Sequence, residues 1–439
     1  MTLPVPVLAL LQAAQAAQAA PPQSMGVFLV ATVMKMLIVF TIYLVGVAML
    51  TLAERKISAW MQDRHGPNRV GKGWLQPAAD GLKNIMKEET YPDAAYLPIF
   101  ILAPMMAFIP ALIAWAVIPW GAPWDSPWGR IELALAPLPI GFLYVLAITS
   151  IGVYGIVLAG WSSNNKYSLL GGIRSSAQMV SYEIAMGMAT IPVLLLAGNV
   201  SLSRIVEQQA AVGPLSWNVA TATIAWMIFL IAAFAETNRL PFDLPEAESE
   251  LITGYHSEYS AMKFSMFFIA EYANMVTASA LMAALFFGGW DIPFTAWDNT
   301  APHTGVKTLL TTLLFFGKTL FFVFFYMWIR WTLPRFRYDQ LMALGWKILL
   351  PVALAYIVIV ASAIIALQLI GFAPASWQYS GSLFGLNVVL VILLFFVFDR
   401  GRLVSPASSR LDARHVQRLR ALTAARMQHA PDAGAEVTR

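Results

Sequence analysis

The feature that most constrains this chain is a succession of apolar runs, each long enough to cross a membrane. They fall at about 26–53, 96–120, 136–160, 177–197, 218–235, 262–288, 306–331, 346–370 and 383–398. A helix needs roughly 17–25 apolar residues to cross the hydrocarbon core. Lipid offers the backbone no hydrogen-bond partner, so a spanning run closes its own bonds as a helix. The expected fold is therefore all-α, a polytopic transmembrane helix bundle with about nine spans. The 439 residues are 59% hydrophobic and 12% charged, outside the balance of soluble domains.

Lys and Arg between the runs orient the chain. The first loop carries Arg55, Lys56, Arg64, Arg69, Lys72, Lys83 and Lys87, the third Lys166 and Arg174, and the seventh Arg335, Arg337 and Lys347. The alternate loops carry only Arg130 and Arg204. Basic loops stay in the cytoplasm. The N-terminus is thus expected outside and the C-terminus inside. Residues 1–25 hold no Lys or Arg, lack the positive start of a signal peptide, and read as a poorly ordered extension. Residues 26–399 form the transmembrane domain. Residues 400–439 form a basic cytoplasmic tail in which Arg410, Arg414 and Arg418 recur at spacing four, suited to anionic headgroups or a docking partner.

Between the fifth and sixth runs, Glu236, Asp243, Glu246, Glu248, Glu250 and Glu258 gather beside a single local base, Arg239. Pro241 and Pro245 break helix on either side of Asp243. Spacing of four puts Glu246 and Glu250 on one face, with Glu248 pointing away. A solvated acidic loop is one reading. The interleaved Leu240, Phe242, Leu244, Leu251 and Ile252 favour another, in which the acids line a protected polar cavity or carry protons.

Glu54, Glu183 and Glu271 lie in or near the runs themselves. Lys263 stands two turns from Glu271, too far for contact within one helix. Lys35 and Lys318 are the other basic partners available in the spans. Carboxylates crowded in low dielectric hold and release protons as a unit. Glu183, Glu236, Glu246, Glu250 and Glu271 are accordingly expected to form a proton path leading from the cytoplasmic side into the bilayer.

The chain has no cysteine, which excludes its own thiolate-held iron–sulfur cluster, a disulfide framework and a Cys-based zinc site. None of its five histidines stands in a metal-ligand pattern, and no metal is expected. His256, among acids, suits a proton relay or a structural hydrogen bond. The stretch GPNRVGKG at 66–73 comes within one residue of a phosphate-binding loop. Gly73 stands where Ser or Thr would hold magnesium, and a span precedes it rather than a strand, so the motif is excluded. Residues 74–88 carry Leu75, Ala78, Ala79, Leu82 and Ile85 at helical spacing, a pattern for an amphipathic helix in the membrane interface. Trp120, Trp124 and Trp128 read as interfacial belt residues.

Four motifs, ERKISAWMQDRHGPNRVGKGWLQPAADGLKNIMKEE from Glu54, GWSSNNKYSLLGGIRSSAQMVSYEIAMG from Gly160, ETNRLPFDLPEAESELITGYHSEY from Glu236 and RWTLPRFRYDQLM from Arg330, closely resemble the H-subunit family of bacterial respiratory complex I. The likeness runs in collinear order over about residues 26–351. It implies a multi-pass subunit of the bacterial inner membrane that joins the peripheral arm to the membrane arm of a proton-translocating NADH:quinone oxidoreductase. Its substrate would be a quinone, either ubiquinone or menaquinone, with flavin and iron–sulfur clusters held by partner chains. Its partners would be the other complex I subunits and membrane lipid, with no nucleic acid.

Carried over residue by residue, the resemblance puts Arg55, Arg64, Trp74, Arg239 and Phe242 at the quinone chamber and its mouth. Asp243, Glu246, Glu248, Glu250 and Glu258 would face the chamber, and Glu183, Glu236 and Glu271 would continue the proton path. Arg174, Arg335 and Arg337 would be positive partners. The ninth run, the tail and the N-terminal extension depart from the commonest form of the family, which has eight spans. A related subunit of a hydrogenase or ferredoxin-linked complex is the nearest alternative, and a free-standing proton-coupled transporter a more distant one. The chain shows no G-x-G-x-x-G after a strand, so no nicotinamide site is expected.

Overall fold

The computed structural model describes residues 25–210, 213–243, 252–295, 297–300, 302–374 and 376–398. The described residues fall in two compact units divided between Phe384 and Gly385. Among them, eight helices are long and apolar enough to cross a membrane. A shorter apolar helix accounts for the fifth run. The chain is an all-α polytopic bundle, as the runs require.

Helix α1 covers Met25–Met61. At 1.5 Å per residue it is about 55 Å long, well beyond the roughly 30 Å of hydrocarbon. Its packing is uneven: the buried positions begin at Tyr43 and continue through Val47, Leu50, Leu52, Glu54, Ser58 and Ala59. Helix α2, Gln76–Met86, has no buried residue, and Leu75, Leu82, Ile85 and Met86 are all exposed. An apolar stripe left uncovered by protein fits a helix lying in a membrane interface.

Helices α3 (Leu97–Ile113), α4 (Gly141–Ser162) and α5 (Lys166–Ala197) pack in sequence order. The packing is close because a Cβ at Gly155 would meet the Ala107 amide at 2.7 Å. Small residues at such crossings let apolar helices approach where lipid provides no hydrophobic drive. A two-stranded hairpin, β1 (Trp124–Ser126) with β2 (Gly129–Ile131), closes the α3–α4 connection.

After the short helices α6 (Leu202–Gln209) and α7 (Asn218–Thr221), the fifth run becomes α8, Thr223–Glu236. Ala222, at φ −140° and ψ 48°, breaks the run into two pieces. Helix α9, Ala261–Phe286, is the centre of the bundle, buried almost continuously from Ala278 to Phe286. Its Ala, Ser and Met side chains allow neighbours on all sides. Helices α10 (Gly305–Thr332), α11 (Tyr338–Leu344) and α12 (Leu350–Ile370) follow, the last two joined by a π-helical stretch at Gly345–Leu349. Helix α13, Trp377–Phe398, supplies the ninth run.

Trp120 is buried within the protein, whereas Trp128 is 63% exposed. One expectation is corrected. Lys35 and Lys318 do not partner the acids in the spans. Lys35 Nζ donates to the carbonyls of Glu132 and Ala134, and Lys318 Nζ to those of Phe287, Gly289 and Asp291. Turn carbonyls left free at element ends offer a lysine several acceptors at once, which a lone carboxylate does not.

Candidate functional site

Glu54 closes the apolar part of α1 and is only 5% exposed. A carboxylate so placed needs partners. It has three. Arg239 Nη1 lies 3.0 Å from Oε2, Arg330 Nη1 2.5 Å from Oε1, and the Tyr272 hydroxyl donates to Oε2 at 2.5 Å. Arg239, 2% exposed, also brings Nε within 2.6 Å of Glu271 Oε1 and lays its guanidinium over the Tyr272 ring at 4.2 Å. One arginine thereby links α1 to α9, and Arg330 adds the end of α10. Two carboxylates and two guanidiniums balance in charge, which is the condition for burying ions at this depth.

Arg239 reaches this place because its loop is pinned. The Gln178 side-chain amide, wholly buried in α5, donates to the carbonyls of Ala235 and Phe242, both at 2.8 Å. Phe242 is sandwiched between the Tyr182 and Phe336 rings, with centroids 5.9 and 5.7 Å away. On its far side Asp243, 3% exposed, accepts from Arg335 Nη2 at 3.0 Å. The acids beside Arg239 in sequence are therefore not all its partners in space. It turns to Glu54 and Glu271, and Asp243 takes Arg335.

Glu183 in α5 accepts from Ser150 of α4, and the neighbouring Thr149, whose hydroxyl donates to the Leu146 carbonyl, lies beside Glu236 at the end of α8. Adjacent hydroxyls on one helix thus face two acids from two other helices. Beyond them a cavity of about 40 Å³ is lined by Glu236, Asn238, Glu271 and Asn274 together with apolar side chains. That is room for a water, which takes roughly 30 Å³ in the liquid, with polar partners on several sides. The arrangement runs Glu183, Ser150 and Thr149, Glu236, cavity, Glu271, Arg239, Glu54. Chemically, Glu183, Glu236 and Glu271 are carboxylates spaced by hydroxyls and a cavity large enough for a water, and Arg239 is a fixed positive charge between Glu271 and Glu54.

Glu258 accepts from the side-chain amide of Asn165, the N-cap of α5, at 2.7 Å. Gly171 lets the 252–260 segment lie on α5, since a Cβ there would meet Gly254 Cα at 2.6 Å. His256 packs on the Tyr255 and Phe264 rings. Among the residues expected at a chamber mouth, Arg55 pairs with Asp80 of α2 at 2.9 Å, Arg64 donates to Gln62 at 2.7 Å, and Trp74 is exposed. Arg174 lies over the Tyr338 ring at 4.8 Å. Glu246, Glu248 and Glu250, the tail and the N-terminal extension lie outside the described residues.

Outside the spans, Glu89 accepts from Lys263 at 2.7 Å and from the Tyr91 hydroxyl at 2.6 Å. The Lys263 ammonium bound to it, helped by that hydroxyl, holds the Glu89 carboxyl below the usual carboxylate range. Nearby, Thr90 bonds Ser260 through both its amide and its hydroxyl, fastening the stretch after α2 to the start of α9.

Sequence reasoning placed Glu183, Glu236 and Glu271 together but left Glu54, Arg330, Tyr272 and Gln178 off the path. The signals were present: an acid and a base together at the end of an apolar run, a tyrosine following an acid, and a lone glutamine inside a span.

The sequence pattern of the family described as NADH dehydrogenase matches residues 34–361. Over 328 residues the chain is 50% identical to one of the H-type chains of the NADH-quinone oxidoreductase of Cytophaga hutchinsonii, covering 74% of this chain and 94% of that relative. It is 52% identical over 324 residues to NADH-quinone oxidoreductase subunit 8 of Rhodothermus marinus, covering 72% and 92%. It is 48% identical over 353 residues to the second H-type chain of the NADH-quinone oxidoreductase of Koribacter versatilis, covering 77% and 98%.

Proposed function

The chain belongs to the NADH dehydrogenase family as a membrane subunit of NADH-quinone oxidoreductase, and from that premise we propose that it forms much of the quinone chamber and starts the proton path. Electrons reach the quinone from an iron–sulfur cluster held by a partner chain. Flavin resides in a partner as well. Asp243, Glu246, Glu248, Glu250 and Glu258 face the chamber, while Arg55, Arg64, Trp74, Arg239 and Phe242 line it and its mouth. The basic loops lie in the cytoplasm, which places the Glu54 end of the bundle there, the N-terminus outside and the C-terminus inside.

The observation that carries this reading is the continuity from Glu183 through Thr149 and Ser150, Glu236 and the cavity to Glu271 and Arg239. A charge change at the quinone acts on Asp243 and its neighbours, alters the field on Arg239 and Glu271, and shifts protons through the cavity to Glu236 and Glu183. Buried carboxylates close together cannot all be ionised, so a proton gained by one is released by another.

Gentle purification on this chain, followed by identification of the attached subunits and an assay of NADH oxidation with added quinone, tests the assignment. Partners carrying flavin and iron–sulfur centres, with quinone reduction blocked by quinone-site inhibitors, are expected. A hydrogenase or ferredoxin-linked module in their place would overturn it.

A further inference from the structure

A groove of about 750 Å³ runs between α1, the middle of α9 and α10. It lies apart from the acids described above. Ile38, Gly46, Val276, Thr312 and Phe316 line its length, and Trp115, Trp120 and Trp124 stand toward the end that holds Lys35. The few polar groups along it are already engaged. Tyr43 donates to the Ala273 carbonyl, and Thr308, Thr312 and Thr319 each donate to a carbonyl one turn back in α10. Water gains nothing in a space without free partners, so the length of the groove is dry and suited to hydrocarbon.

Lys35 differs. Its ammonium has three donors, of which the carbonyls of Glu132 and Ala134 take two. The third remains for an acceptor at the mouth of an apolar slot flanked by tryptophans, the residue type of membrane interfaces.

Size decides which apolar occupant fits. A transmembrane helix about 10 Å across laid from Lys35 to Ala53 would fill about 2,000 Å³, so it could only rest against the groove and leave its depth unfilled. Taking roughly 30 Å³ for a methylene, the share of a water molecule, the groove accommodates about 25 methylenes, close to the two tails of one phospholipid. A quinone's ring carbonyls need donors, and along the slot the Tyr43, Thr308, Thr312 and Thr319 hydroxyl hydrogens are already given to backbone carbonyls.

We propose that this groove is a binding site for one membrane phospholipid, its tails between α1 and α10 and its phosphate on Lys35. The lipid would complete the packing of the half of α1 that protein leaves uncovered.

The test is photocrosslinking in the assembled complex. A benzophenone amino acid at Ile38 reports the groove, and one at Val358, on the exposed face of α12, reports bulk lipid. After detergent delipidation, Ile38 should yield a phospholipid adduct that Val358 does not. Lys35→Met should reduce that adduct roughly tenfold, the scale of a lost charged hydrogen bond. Gly46→Leu keeps Lys35 and tests the site independently, because no atom lies within 4 Å of a Cβ built there and the side chain would enter the slot. It should abolish the adduct. A quinone or protein adduct at Ile38, equal lipid labelling at both positions, or an adduct indifferent to both substitutions would overturn the proposal.

Discussion

The two ends of the bundle bury charge in opposite ways. At the Glu54 end, charged side chains satisfy one another: Arg239 between Glu54 and Glu271, with Arg330 on Glu54 again. At the other end of α9, Lys318 is held by the carbonyls of Phe287, Gly289 and Asp291. Gln209 and Asn218 take the carbonyls of Ala284 and Leu285 there. The Asp291 carboxylate bonds Trp217 and Asn299, and burial pushes its carboxyl up against the pull of those two bonds. The three acceptors of Lys318 are backbone carbonyls, which do not titrate, and its ammonium also complements the negative end of the helix. The Glu54 end is built of side chains alone, carboxylates against guanidiniums, and its balance would shift if one carboxylate took up a proton. One helix is thus anchored at its C-terminus and electrostatically adjustable nearer its start.

This contrast can be broken at either end. The largest effect is expected from Glu54→Gln, which leaves the buried Arg239 and the half-buried Arg330 short of a carboxylate. Removing one partner of a buried pair costs about 3–5 kcal/mol, and the amount of assembled complex on native gels should fall sharply. Next is Lys318→Met, which strips three carbonyls of a charged donor at about 1.5–3 kcal/mol for such a bond. Its thermal stability should drop, while quinone reduction per assembled complex stays at the wild-type rate. A changed rate would mean that Lys318 is not merely structural.

A smaller effect is expected from Arg335→Gln, because Arg335 is about a third exposed, the Gln amide can still donate to the buried Asp243, and Asp243 has a further partner, so the loss should be about 1 kcal/mol. Here the KM for quinone should rise modestly with little change in assembly. The smallest concerns Glu89. Its carboxyl is held below the ordinary value, so its contribution is complete above about pH 4.3, the unperturbed value, and fades only as pH falls through the lowered one. Hydrogen exchange at the Thr90 amide should therefore be flat from pH 5 to 8 and gain an opening term only in acid.

The fold was legible in the sequence because hydropathy is local. Each run from 26–53 to 383–398 declares its own helix, and Ala222 accounts for the one that is cut short. The site was legible only where acids were neighbours or shared a span. Arg330 meets Glu54 across 276 positions of sequence, and no spacing rule connects them. Lys35 and Lys318 were plausible partners for buried acids by charge alone, yet element ends rich in free carbonyls claimed them first. Gln178 carried a signal of a different kind, since a polar side chain inside a span is costly unless employed. Its employer, the Ala235–Phe242 loop, became visible only in three dimensions.

The measurement closest to the central claim is Glu236→Gln in the assembled complex, reconstituted into sealed vesicles, with quinone reduction and proton translocation followed together. The amide keeps the shape of the side chain beside Thr149 but cannot pass on a proton. A carboxylate relay predicts that translocation is lost and that coupled quinone reduction falls with it, at normal assembly. Full reduction with full translocation would contradict the relay and leave these acids as structural ions.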